Sequence, residues 1–154
     1  MLYPLSYGGR LRRLNRDHLR YRTGNVGPVP PTVLVVDDTA SIRFLIRTNL
    51  ELAGFDVIEV EDGRACLDLL TSMETLPDLI TMDMMMPRMD GLTAATAIRA
   101  EEKYASIAIV MVTTQGQQSD LNRATTVGVD SYVIKPFEPE VLVSTVEQVL
   151  QSRA

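Results

Sequence analysis

A small set of residues with chemical capability stands at the ends of short apolar runs in this 154-residue chain. Asp37 and Asp38 follow the run Val33 to Val36, and Asp83 follows Leu79 to Met82. Thr113 and Thr114 follow Ile107 to Val112, and Lys135, with Pro136 behind it, follows Tyr132 to Ile134. Singly, each has an ordinary reading: Asp38 or Thr114 as a helix cap, Asp83 as a strand end, Lys135 as a solvated charge. Brought together they mean more. Three converging carboxylates repel one another and push at least one toward protonation, a penalty that a hard dication removes. Oxygen-only ligands suit Mg²⁺ rather than zinc, which would ask for His or Cys. A partly filled metal shell leaves positions for phosphoryl oxygens, and the Thr113 hydroxyl and the Lys135 ammonium both suit a phosphate dianion. The implied chemistry is the handling of a phosphoryl group beside a metal. Neither a Gly-x-x-x-x-Gly-Lys loop nor a Gly-x-Gly-x-x-Gly turn is present, so nucleotide readings lack their phosphate cradle.

The elements that must position these residues follow from periodicity. The apolar runs Val33 to Val36, Phe55 to Val60, Leu79 to Met82, Ile107 to Val112 and Tyr132 to Ile134 recur every 20 to 25 residues or so, the spacing of βα units. Between them, amphipathic stretches predict helices over Ala40 to Ala53, Gly63 to Met73, Leu92 to Glu102, Gln117 to Val127 and Pro139 to Gln151. Gly54 and Gly128 fall where a helix C-terminus wants positive φ. In the last helix Val141, Leu142, Thr145, Val146, Val149 and Leu150 make one stripe to bury. Strands this short and uniformly apolar are expected to be covered on both faces, which predicts a five-stranded doubly wound α/β domain. In such sheets ligands bind beside the carboxyl ends of the strands, at the switch point of the topology.

Composition bounds the alternatives. Apolar residues make up 45% and charged residues 23% of the chain, the balance of a soluble globular domain. No run approaches a membrane span, and residues 1 to 20 lack a secretory signal's apolar stretch. The single cysteine, Cys66, can form neither an internal disulfide nor a multi-cysteine zinc site, so it reads as a packing residue and the chain as cytoplasmic. Residues 1 to 31 hold six arginines and one acid, net +5, whereas residues 32 to 154 hold nine basic and nineteen acidic groups, net −10. The first part reads as a flexible basic tail rich in Pro and Gly, in which Leu11, Leu14 and Leu19 give a short helix one apolar edge. An acidic body is a poor footprint for DNA, so direct DNA binding is not expected.

Four stretches carry a family resemblance: Val33-Leu34-Val35-Val36-Asp37-Asp38, Asp83-Met84-Met85-Met86-Pro87-Arg88-Met89-Asp90-Gly91, Val110-Met111-Val112-Thr113-Thr114 and Tyr132-Val133-Ile134-Lys135-Pro136-Phe137. In this order and spacing, residues 32 to 154 resemble the receiver domain of bacterial two-component response regulators, of the stand-alone, chemotaxis type. Residues 1 to 31 have no counterpart. The resemblance implies a flavodoxin-like (βα)₅ sheet in strand order 2-1-3-4-5. It makes Asp83 the phosphoacceptor from a sensor histidine kinase or phosphotransfer protein. Asp38, Asp83 and the Met85 backbone carbonyl would ligate Mg²⁺, with Asp37 acting largely through water. Thr113 and Lys135 would hold the phosphoryl oxygens, and a cis Lys135–Pro136 peptide would aim the ammonium. New charge on Asp83 would draw the Thr113 hydroxyl inward and let Tyr132 turn, remodelling the surface of helix 4, strand 5 and helix 5 for an unnamed output protein.

Met84, Met85, Met86 and Met89 crowd the acceptor loop, as flexible packing or as an adaptable partner surface. Met85 cannot hydrogen-bond a hydrolytic water, which leaves Gln115 as the polar candidate and predicts a long-lived phosphorylated state. A phosphatase of the haloacid-dehalogenase type needs an acid two residues after its aspartate, where Met85 stands. A docking module indifferent to phosphorylation would be favoured had Asp38, Asp83 or Lys135 been replaced, and none is. The chain stops just after its last helix, so the expectation is a receiver without an output domain, a signalling protein and not a classical enzyme.

Overall fold

The structure is a computed structural model describing residues 5–7, 10–12, 20–21, 28–114 and 118–154. Five strands, β1 (Thr32–Val36), β2 (Asp56–Val60), β3 (Leu79–Asp83), β4 (Ala108–Thr114) and β5 (Ser131–Lys135), form one parallel sheet in the order β2-β1-β3-β4-β5. Five helices connect or follow them: α1 (Ala40–Leu52), α2 (Gly63–Ser72), α3 (Gly91–Ala100), α4 (Gln118–Val127) and α5 (Pro139–Arg153).

The period-two alternation of the strands divides the core in two. Val33, Val35, Leu79, Val110 and Val112 point to one face, where Ile46 and Leu50 of α1 and Leu142 and Val146 of α5 cover them. Leu34, Val36, Ile80, Met82, Ile109 and Met111 point to the other, under Cys66 and Leu70 of α2 and Ala94 and Ile98 of α3. The central strands β1, β3 and β4 are therefore apolar on both faces, as the sequence predicts. Burial pushes the Cys66 thiol up to about 12, which leaves it an inert packing group. The buried Thr81 hydroxyl, two residues before Asp83, has no hydrogen-bond partner among the described residues.

Several expectations need correction. The last strand is not covered on both faces: Tyr132 and Ile134 are exposed and Val133 is buried, because β5 lies at the edge of the sheet. In α5, Val141 is exposed and Val143 is buried with Leu142, Val146 and Val149. These four positions follow the i, i+1, i+4, i+7 pattern of one helix face, and Val141 lies about 100° off its leading residue. Gly54 and Gly128 do adopt positive φ, 94° and 100°, where α1 and α4 end. The third helix ends at Ala100, two residues earlier than expected, and a short 3₁₀ turn (Glu102–Tyr104) follows.

In the basic segment, Leu5–Tyr7 pairs with Arg10–Arg12 and Arg20–Tyr21 with Pro28–Val29, both antiparallel. Leu11 thus stands in a strand, and Leu14 and Leu19, the rest of the expected apolar helix edge, lie outside the described residues. No helix among the described residues is long and apolar enough to cross a membrane.

Candidate functional site

The sheet reverses direction of growth between β1 and β3: α1 leads outward to β2, and the next crossover returns to β3 on the other side of β1. In sheets of this topology a ligand-binding crevice forms at the carboxyl ends of these two strands. Asp37 and Asp38 leave β1 there and Asp83 ends β3, and carboxylate oxygens of all three lie within 4.8 Å of one another. Asp37 and Asp83 are buried and Asp38 is exposed. From the end of β5, Lys135 reaches in with its Nζ 3.0 Å from Asp37 Oδ2 and 3.5 Å from Asp83 Oδ1. The Lys135–Pro136 peptide bond is cis.

Asp37 is held from two sides. Its Oδ1 accepts from the Thr39 N–H at 2.8 Å, and its main-chain carbonyl accepts from Arg43 Nη1 at 2.7 Å. Arg43 also lies 3.6 Å from Glu59. The Asp83 carboxyl is pushed up to about 6, first by burial and then by the negative charge of Asp37, with Lys135 opposing both. One ammonium among three carboxylates leaves the pocket short of positive charge. The oxygen-only donor set, without His or Cys, fits a hard dication such as Mg²⁺ and not a softer metal.

Parallel pairing sets Asp83 beside Val112 of β4, so the next residue, Thr113, comes at the same edge of the sheet. Thr113 is buried, and among the described residues its hydroxyl donates to the thioether of Met84, at 3.8 Å. A sulfur acceptor is weak, so an anion would readily displace it as the acceptor of this hydrogen bond. The neighbouring Thr114 is exposed. Tyr132 is 45% exposed on β5, its ring outside the core. The Met85 side chain is 72% exposed and holds no polar group, while Gln115 lies outside the described residues.

The loop after Asp83 is built to fixed dimensions. Met84 N–H donates to the Val112 carbonyl at 3.0 Å, Met89 N–H to Pro87 at 2.7 Å and Gly91 N–H to Met84 at 2.9 Å. Asp90 then caps α3 by accepting from the Thr93 N–H at 2.7 Å. At Gly91 an added Cβ would stand 2.1 Å from the Asp83 carbonyl oxygen, a separation no side chain tolerates. Asp62 caps α2 in the same manner, accepting from the Ala65 N–H at 2.8 Å, and it pairs with Arg88 of the loop after Asp83. The Ala65 N–H, and to a lesser extent Arg88, hold the Asp62 carboxyl below the usual range against the opposing effect of its burial.

The structure thus brings together Asp37, Asp38, Asp83 and Lys135, and places Thr113 at the same strand edge. Sequence reading passed over Asp62, Asp90 and Arg43. The first two carried a legible signal, an Asp followed three residues later by a free helix N–H. Arg43 carried none, because its tie to the site runs to a main-chain carbonyl.

A doubly wound five-stranded sheet with an acidic crevice at its switch point, flanked by a lysine and a threonine from neighbouring strand ends, defines the receiver class of signalling domains. The model of the response regulator receiver domain family matches residues 33–147, and the chain belongs to that family. It is 44% identical over 119 residues to a chemotaxis protein CheY homolog of Campylobacter jejuni, covering 77% of this chain and 91% of that one. The solved structure of Vibrio cholerae chemotaxis protein CheY4 superposes with a TM-score of 0.72 at 34% identity, over 77% of this chain and 98% of that one. The chain also matches the DNA-binding dual master transcriptional regulator RpaA of Synechocystis, at 36% identity, but spans only 49% of that protein.

Proposed function

We propose that this receiver takes a phosphoryl group onto Asp83 from the phosphohistidine of a sensor histidine kinase or phosphotransfer protein, and thereby switches a protein-binding surface. The observation that carries the reading is the convergence of Asp83 with two further carboxylates and the Lys135 ammonium at the switch point of the sheet. In the transfer, an Asp83 carboxylate oxygen forms the new P–O bond in line with the P–N bond that breaks, and the imidazole leaves with its electron pair and takes up a proton. Phosphoryl transfer of this kind asks a protein mainly for positioning and charge stabilisation. Asp38, Asp83 and the Met85 carbonyl would hold Mg²⁺, with Asp37 acting largely through water, and the bound ion would supply positive charge to the transferring oxygens. Lys135 neutralises the acyl phosphate, and the Thr113 hydroxyl leaves Met84 for a phosphoryl oxygen. Tyr132 then turns toward the space Thr113 vacates, which alters the surface formed by α4, β5 and α5. Met85 offers no hydrogen bond to an attacking water, so the acyl phosphate decays slowly. Comparing nuclear magnetic resonance spectra before and after addition of Mg²⁺ and acetyl phosphate tests this reading. Resonances of Thr113, Tyr132 and the α4, β5 and α5 segments are expected to shift and to stay shifted for minutes after donor removal. Unchanged Tyr132 resonances in phosphorylated protein would reject the switch, and return within seconds would reject the slow decay.

A further inference from the structure

The loop that follows Asp83 is tied to a second corner of the molecule by a contact that the phosphoacceptor chemistry does not use. Arg88, in the middle of that loop, sends its guanidinium to Asp62, at the N-terminus of α2 and 26 residues away in sequence. The Asp62 side chain is 2% exposed and already fixed by the Ala65 N–H, whereas the Arg88 side chain is 70% exposed. The anchor therefore belongs to the core and the tether to the loop. Two further observations place the same corners in contact. Arg88 has φ of 65°, a left-handed conformation that a non-glycine residue rarely adopts without an outside hold. Beside Asp62, a Cβ added to Gly63 would lie 2.9 Å from the Met89 carbonyl oxygen and 3.0 Å from the Ala94 Cβ, so the loop is seated directly on the start of α2.

We propose that the Arg88–Asp62 pair is a positioning device for the cation pocket: by seating the acceptor loop on α2 it fixes the main-chain carbonyl of Met85, three residues before Arg88, and so sets the affinity for Mg²⁺. The inference rests on the reading of the Asp83 crevice as a Mg²⁺ site. It separates cleanly from simple electrostatics. Removing the Arg88 charge would by Coulomb's law strengthen cation binding and removing the Asp62 charge would weaken it, whereas loss of the shared contact weakens binding in both cases.

Calorimetric titration of the full chain with Mg²⁺, for wild type, Arg88→Gln, Asp62→Asn, the double variant and Arg88→Lys, tests the proposal. Asn at position 62 keeps an oxygen for the Ala65 N–H, so the helix cap survives. Both single variants are expected to bind Mg²⁺ roughly three- to tenfold more weakly, the double variant no more weakly than either single, and Arg88→Lys within about twofold of wild type. Unchanged or tighter binding by Arg88→Gln would overturn the proposal while leaving the Mg²⁺ site intact. So would losses that simply add in the double variant. Wild-type protein that takes up no Mg²⁺ would remove the cation pocket itself, and the positioning role with it.

Discussion

Asp83→Asn is expected to be more stable than the wild-type chain by about 2 kcal/mol at pH 7.5 in metal-free buffer, and to lose that advantage as the pH falls toward 4. Burial and the neighbouring Asp37 charge raise the Asp83 carboxyl from 3.8 to about 6. Between these values the folded chain keeps a proton that the unfolded chain has released. The protonated group's contribution to stability is fully present below pH 3.8 and is lost as the pH rises through 6; above that the ionised carboxylate carries its whole penalty. A tenfold change in proton affinity corresponds to about 1.4 kcal/mol, and partial solvent access at the pocket mouth trims the total. Asparagine keeps the shape without the charge. Urea unfolding of both proteins at pH 7.5, 6 and 4 with a chelator present measures the difference. A wild type more stable than Asp83→Asn at pH 7.5 would show that Lys135 outweighs the burial and the charge of Asp37. Adding Mg²⁺ should then narrow the gap, since a ligand that binds only the folded state stabilises it.

Gly91→Ala is expected to destabilise the domain by about 3 kcal/mol or more and to weaken Mg²⁺ uptake at the same time. Two effects oppose each other at this position. Alanine at the start of α3 gains at most about 1 kcal/mol of helix propensity over glycine. Against that, its Cβ would sit 2.1 Å from the Asp83 carbonyl oxygen and 2.9 Å from the Met82 Cγ. The nearest atom is backbone, so the conflict is relieved only by moving the end of β3 or the first turn of α3. Either movement pulls on Asp83, because the Gly91 N–H closes the loop onto the Met84 carbonyl. Urea unfolding gives the stability change and calorimetry the metal affinity. Wild-type stability in Gly91→Ala would mean that the loop is slack, and would contradict the picture of a rigid turn after Asp83.

The parts of this molecule that could be read directly were those set by local pattern. Alternating apolar runs and helical stripes marked the five strands and five helices, because burial on one or both faces is written in the residue types themselves. The convergence of Asp37, Asp38, Asp83 and Lys135 was legible because they sit at strand ends, and a parallel sheet carries all strand ends to one edge. What escaped was whatever depends on position within the sheet or on contact across it. The runs of β5 and β3 look alike, yet Tyr132 and Ile134 are exposed because β5 has no neighbour on its far side among the described residues. Val141 was misplaced because a stripe of six candidate residues leaves the rotation of a helix undetermined by one position. Arg88 reads as a solvated loop charge until Asp62 is brought under it, and Arg43 as a surface helix residue until it meets the Asp37 carbonyl. Charge counts name the groups, and only the folded chain names their partners.

The central claim, that Asp83 is a metal-dependent phosphoacceptor, is tested most directly by the intact mass of the protein after incubation with Mg²⁺ and acetyl phosphate. Asp83→Asn and a chelator-treated sample run beside it. The predicted result is a gain of one phosphoryl group in the wild type with Mg²⁺, and no gain in the variant or without metal. No gain in folded wild-type protein that binds Mg²⁺ would contradict the claim and would point to a receiver that signals by docking alone. A gain of equal size in Asp83→Asn would contradict it differently, by moving the acceptor to another residue.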